Sequence, residues 1–350
     1  MKKRNELLDI MRGIGIILVV FGHAIVPEIR NNSGVYKNIY EYIYLFHMPL
    51  FFFISGYVFE INKNKYNSKK KFLIRKAKLL IIPYLFFSLM SYAVILTCLN
   101  LNNIKDILIN NGYKVYGIKR TIIQILLCYN NIDKHIWYIY VLFFVFCINI
   151  FCKEKGYFCC IMSIGIWIFI QVFHINEYIP ATLEQLLKGL MFFTIGRQSN
   201  GILEKYINNR LINICNLLTF LFECVYIVNC SEYISHFISV LLRIIVALQG
   251  IVLICAISKI ISRNKYISNI IKKLNTYTYE IYLLHQPFIV SGISGLMLKY
   301  LNLCYFLNII IVFVIGIILP ILIAKLLILS NNKVLLALIG KEKEKKSEKI

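Results

Sequence analysis

Charged residues are scarce in this sequence, 16% of the total, where soluble domains carry roughly 25%. Acidic ones are scarcer still: 17 Asp and Glu stand beside 39 Lys and Arg. An ordinary soluble domain is not written this way. Other absences narrow the reading further. There is no CxxC pair and no Cys/His grouping with zinc spacing. Most of the 11 cysteines lie inside apolar runs, as Cys147, Cys159, Cys160, Cys215 and Cys255 do, where a free thiol behaves as a small hydrophobe. Neither a metal site nor a disulfide framework is expected. The first apolar run lacks a small-residue cleavage site and contains Arg12, so a removable signal peptide is not expected either. No internal repeat and no separate soluble stretch stands out.

What the chain has in abundance is apolar length. Hydrophobic residues make up 59% of its 350 positions and the mean hydropathy is +0.69. Long apolar runs fall near 10–26, 42–60, 79–99, 136–152, 157–175, 182–196, 211–229, 236–260, 279–298 and 303–329. Each has, or nearly has, the ~17–25 residues that the hydrocarbon core of a bilayer requires. The expected fold class is all-α: a polytopic membrane protein of about ten transmembrane helices. Residues 1–330 are read as one integral-membrane domain and 331–350 as a basic tail.

Direction follows from the loops. With the N-terminus inside, the inner segments hold 26 Lys and Arg and the outer ones 8, the asymmetry expected of cytoplasmic loops. Both termini, and the tail KEKEKKSEK, are then expected in the cytoplasm of a multi-pass cell-membrane protein. A net charge of +22 would suggest nucleic acid in a soluble protein. Here the excess sits in the loops of one side, so the expected partner is the bilayer and not nucleic acid. One outer-loop piece, TIIQILLCY, is too short to span and suits the interface or a re-entrant segment.

The first run, LLDIMRGIGIILVVFGHAIV, carries Asp9, Arg12 and His23. Ionisable groups in a span are costly and normally face a protein interior or a wet cavity. Eleven positions of helix return to nearly the same face, so Arg12 and His23 share a stripe roughly 16 Å long. Asp9 lies one turn before Arg12, within reach of it. His23 has the chemistry of a general base near neutral pH; a histidine bonding between helices would look the same in sequence. Arg12 and Asp9 suit either anchoring of a polar substrate or an ion pair closing the inner end.

The loop NKNKYNSKKKFLIRKAKLLIIPY is the densest basic segment. It suits a phosphate-rich ligand such as coenzyme A, with Arg75 and Lys78 nearest the membrane, or plain inside-positive topology. His47, beside Pro49 at the start of the second run, is expected at a depth similar to that of His23, as a pocket residue or an interfacial one. His135 and Trp137 open the fourth run on the outer side, Trp137 as a sugar platform or part of the aromatic belt. Glu280 and His285 fall in the inner half of the ninth run. The adjacent Gln286 and Pro287 suit a helix irregularity.

Taken together, LDIMRGIGIILVVFGHA, FHMPLFFFISGY, RKAKLLIIPY, WYIYVLFF, LKGLMFFTIG and YTYEIYLLHQP resemble the integral-membrane acyltransferase-3 family, in particular its polysaccharide and sugar O-acetyltransferase branch. The resemblance implies a ten-helix membrane fold that uses acetyl-CoA, or another acyl-CoA, as cytoplasmic acyl donor. The implied acceptor is a carbohydrate or a lipid-linked glycan. It makes His23 the catalytic histidine with Arg12 as its motif partner, and Arg12 and Asp9 are expected to organise the inner end of the path. It also implies that Arg75 and Lys78 contact coenzyme A. The family has two arginines at these positions; Lys78 keeps the charge and loses the bidentate fork. His47, Trp137 and His285 are the candidate acceptor contacts. The competing expectation is a glycan or glycolipid transporter, whose folds often carry inverted repeats and broken helices.

Overall fold

A computed structural model describes residues 5–66, 68–99, 105, 108–109, 116–129, 135–201, 203, 208–230 and 235–341. Every regular element among them is helical. The order is α1 (Glu6–Ala24), α2 (Pro27–Asn32), α3 (Gly34–Asn62), α4 (Lys69–Cys98) and α5 (Ile118–Leu126). Then come α6 (Trp137–Phe151), α7 (Gly156–Val172), α8 (Ala181–Gln198), α9 (Arg210–Asn229) and α10 (His236–Arg263). The chain closes with α11 (Lys265–Asn275), α12 (Thr278–Leu284), α13 (Ile293–Leu301), α14 (Tyr305–Leu329) and α15 (Lys333–Leu338). Every apolar run of the sequence falls on a helix or a broken helix. Among the described residues, seven helices are long and apolar enough to cross a membrane. Helices α6 and α7 are apolar but shorter. The last part of the basic tail, residues 342–350, lies outside the described residues.

The chain forms two compact units interleaved in sequence: residues 1–69 with 144–278, and residues 70–143 with 279–350. In the first unit, α3 lies along α8 on small residues. A side chain at Gly56 would meet the Phe193 carbonyl, one at Gly196 the Phe53 carbonyl, and one at Gly189 the Phe52 ring. Apolar burial gives helices little reason to associate in lipid, so close backbone approach through such residues carries the packing. The motifs FISGY and FFTIG are therefore two halves of one contact. Replacing Gly56 with Ala is expected to push the helices apart and cost about 1–3 kcal/mol. A thermal midpoint in detergent equal to that of the parent protein would refute this.

Buried charge also sits in the first unit. Arg197, 2% exposed, donates from Nε to Glu60 Oε2 at 3.0 Å and from Nη1 to Asn149 Oδ1 at 3.0 Å. Its Nη2 donates to the Lys153 carbonyl at 2.6 Å, and its guanidinium lies 5.1 Å from the Phe59 ring centroid. By sequence Arg197 falls in one of the inner segments counted above. It is a clamp joining the ends of α3, α6 and α8.

Helix α11 occupies what the hydropathy pattern leaves as a loop. Ile271 seats against Gly13 of α1, and Ser268 and Lys272 donate to Glu6 Oε1 at 2.7 and 2.8 Å. Ile267 and Ile270 remain exposed on its other side. In the second unit, α5 is the short outer-loop piece: Thr121 and Ile125 are buried, while Ile122, Ile123 and Leu126 face outward. The Tyr84 hydroxyl of α4 donates to the Ile125 carbonyl at 2.6 Å, tying α5 to a long helix.

Candidate active site

Asn5 caps α1, its side chain accepting from the Leu8 N–H, which satisfies one of the open donors of a helix start. Asp9 is buried, and its Oδ1 accepts from Asn275 Nδ2 at 2.9 Å. The carboxylate thereby fastens α1 to the end of α11. Arg12 is half-buried one turn on. His23 occupies the last turn of the same helix, about 21 Å along the axis from Asp9. Asp9 therefore positions the helix from its far end and does not touch whatever reacts at His23.

At the His23 end, α3 supplies the partners. The Tyr44 hydroxyl lies 3.2 Å from His23 Nδ1 and 3.5 Å from Nε2, with the two rings edge to face at 5.9 Å. Tyr44 stacks on Tyr40 at 3.8 Å and tilts against His47 at 4.4 Å. Arg30 in turn covers the Tyr40 ring, 3.9 Å from its centroid. His47 is buried and its Nδ1 lies 2.9 Å from the Ile43 carbonyl. A carbonyl only accepts, so Nδ1 carries the proton and a neutral His47 keeps Nε2 as an acceptor. The two histidines expected at one depth thus share a single tyrosine. Sequence reading missed that residue: Tyr44 sits among Tyr36, Tyr40 and Tyr42, and nothing local sets it apart.

The shared hydroxyl can act in two ways. If His23 Nδ1–H donates to the Tyr44 oxygen, Nε2 is left bare to accept a proton. If Tyr44 donates to Nδ1, the imidazole carries its proton on Nε2 instead. The first arrangement is a histidine oriented for general-base work.

The remaining candidates belong to the second unit. Arg75 and Lys78 are exposed on the first turns of α4, and their spacing of three puts them side by side on its surface. His285 is buried, its Nδ1 2.8 Å from the Ile281 carbonyl and 3.0 Å from the Tyr282 carbonyl. His135 Nε2 donates to the same Tyr282 carbonyl at 3.1 Å, and the Tyr282 hydroxyl returns a bond to the His135 carbonyl. The His135 and His285 rings are 5.0 Å apart. Hydropathy alone placed these histidines toward opposite sides of the membrane; contact puts them at one level. The helix also breaks here, Gln286 adopting φ −121° and ψ 158°, which is the expected irregularity. Trp137 is half-buried at the first position of α6. Its neighbour Tyr138 meets Tyr282, at 5.8 Å.

Glu280 was noted only for its depth. It is buried and pairs with Lys341 at 2.5 Å, while Tyr279 donates to the Leu79 carbonyl at 2.6 Å. These bonds tie α12 to α4 and to the chain end. No group of three or more His, Cys, Asp or Glu poised for a metal occurs among the described residues.

Comparison with known proteins gives the geometry a context. No solved structure matches the chain. It is 47% identical over 57 residues to the nodulation protein NolL of Sinorhizobium fredii (strain NBRC 101917 / NGR234). That match covers 16% of this chain and 16% of the relative. The model of one family, described as an acyltransferase domain, matches residues 5–325 and so takes in the His23 helix, the basic start of α4 and the broken helix at Gln286. The chain belongs to this acyltransferase family.

Proposed function

We propose that this protein is a membrane O-acyltransferase that moves an acyl group, acetyl in the first instance, from cytoplasmic acyl-CoA to a hydroxyl of a cell-surface carbohydrate or its lipid-linked precursor. The observation that carries the reading is the His23 imidazole held against the Tyr44 hydroxyl at one end of a helix that bears Arg12 and Asp9 toward the other. In the proposed step His23 Nε2 takes the proton of the acceptor hydroxyl. The oxygen forms a bond to the thioester carbonyl carbon, the carbon–sulfur bond breaks, and the imidazolium returns its proton to the departing thiolate. Tyr44, accepting from Nδ1–H, holds the ring in the tautomer this requires.

Acyl-CoA is a substrate here, and the residues suited to its phosphates are Arg75 and Lys78, on the inner side in the proposed topology with both termini cytoplasmic. Both are exposed on one helix face and surrounded by further lysines, which suits a polyanion. Substituting both with Gln is expected to raise the KM for acetyl-CoA about tenfold or more, with kcat much less affected. An unchanged KM in steady-state assays would remove them from the donor site.

The broken helix at Gln286 favours the transporter reading, because discontinuous helices commonly form transport sites. One experiment separates the two. Purified protein is reconstituted with labelled acetyl-CoA and candidate glycans; label appearing on the glycan supports the transferase, and glycan translocation without label supports the transporter.

A further inference from the structure

Tyr44 has a second face. Together with Lys37 and Glu41 of α3, Lys188 of α8 and Arg243 of α10, it lines a cavity of about 420 Å³ whose apolar wall includes Ile227 of α9. All of these lie in one compact unit. Lys188 is half-buried in α8 and Arg243 is exposed on the apolar helix α10, and a cation beside a span is costly unless it meets water or an anion. Among the described residues neither makes a hydrogen bond or an ion pair. They also repel each other: Lys188 feels the positive charge of Arg243, offset by Glu184. Glu184 is already engaged, accepting from Gln171 Nε2 at 2.8 Å. Lys37 and Glu41 add one charge of each sign to the rim. The cavity and its flank therefore hold three cations against two carboxylates.

Two like charges lining one cavity favour an anion that pairs with both. Volume fits a ligand as well, since small-molecule sites run about 300–1,000 Å³. The position ties the cavity to the histidines. Tyr44 lines it and touches both His23 and His47, and the charge of Lys188 reaches His47.

We infer that this cavity is an acceptor subsite that selects a monoanionic group, a sugar carboxylate or a phosphodiester, through Lys188 and Arg243. Tyr44 forms the wall between that group and the His23 imidazole. The inference rests on the transferase reading for the word acceptor, and on the cavity alone for the anion.

The test reads binding, not transfer. The full-length protein in phosphatidylcholine nanodiscs is titrated with octyl glucuronide and with its neutral analogue octyl glucoside. The expected result is at least tenfold tighter binding of the glucuronide. That preference disappears in Lys188→Gln/Arg243→Gln and survives in Lys188→Arg/Arg243→Lys, both checked for parental elution and thermal midpoint. Equal binding of the two glycosides, or a preference that persists in the double Gln variant, would overturn the site. Phosphatidylglycerol added to the same discs distinguishes the source of the anion. If it displaces the glucuronide, the site holds a phospholipid headgroup and the acceptor assignment is overturned. If the preference stands but no glycan is ever acylated, the anion site holds and the transferase reading fails. If acylation is found without the preference, only the subsite fails.

Discussion

Replacement of His23 with Ala is expected to lower acetyl transfer by about 10²–10⁴-fold, the contribution usual for a positioned general acid–base, while the protein still folds. The geometry supports both halves of that statement. His23 is half-buried in the last turn of α1, so truncation opens no large void in the core. Tyr44 keeps its stack on Tyr40 and its contact with His47, so the neighbouring side chains stay supported. A Tyr44→Phe variant refines the assignment. It leaves the ring packing intact and removes the oxygen that fixes the imidazole tautomer, so the expected loss falls in kcat and not in KM for the donor. Transfer by well-folded His23→Ala protein at the parental rate would end the proposal that this imidazole is the base.

Loss of the Arg197 side chain is expected to produce the largest change in stability. Arg197→Met removes the partner of Glu60 and leaves that carboxylate, Asn149 Oδ1 and the Lys153 carbonyl without their guanidinium donors. Removing one member of a buried pair typically costs about 3–5 kcal/mol, because the remaining charge is uncompensated. Lys63 also reaches Glu60, at 2.5 Å, which softens the loss toward the lower end. A thermal midpoint for Arg197→Met within a degree or so of the parent would refute the clamp. Adding Glu60→Gln to Arg197→Met is expected to restore part of the midpoint, since the orphaned charge is then gone. Arg197→Lys is expected to do poorly, because an ammonium cannot serve a carboxylate, an amide and a carbonyl in one plane.

These two residues differ in how visible they were. His23 announces itself in sequence: an ionisable group far inside an apolar run, on one face with Arg12, is an expense that points to use. Arg197 follows the run LKGLMFFTIG and looks like one more inner-loop charge. Only the packing of α8 on α3 shows that it turns inward to a glutamate 137 positions away. Asp9 has a partner hidden in the same way. Its spacing from Arg12 suggests a pair within one helix; its carboxylate also takes the Asn275 amide from 266 positions downstream. That partner lies on a helix the hydropathy pattern left as loop, because α11 is short and has polar residues on one side.

The sequence by itself determined the class of molecule: helical throughout, apolar enough to live in a bilayer, with a polar stripe along its first helix. Periodicity and hydropathy report how each segment meets its surroundings, and those surroundings need not be known in detail. Tertiary structure alone decided which side chains meet. It brought Tyr44 to His23 across 21 positions, Lys188 and Arg243 to one cavity, and Asn275 to Asp9. Such contacts depend on how glycines such as Gly56 and Gly196 let two backbones approach. They are properties of pairs of helices, and a pattern read along one chain contains no term for the pair.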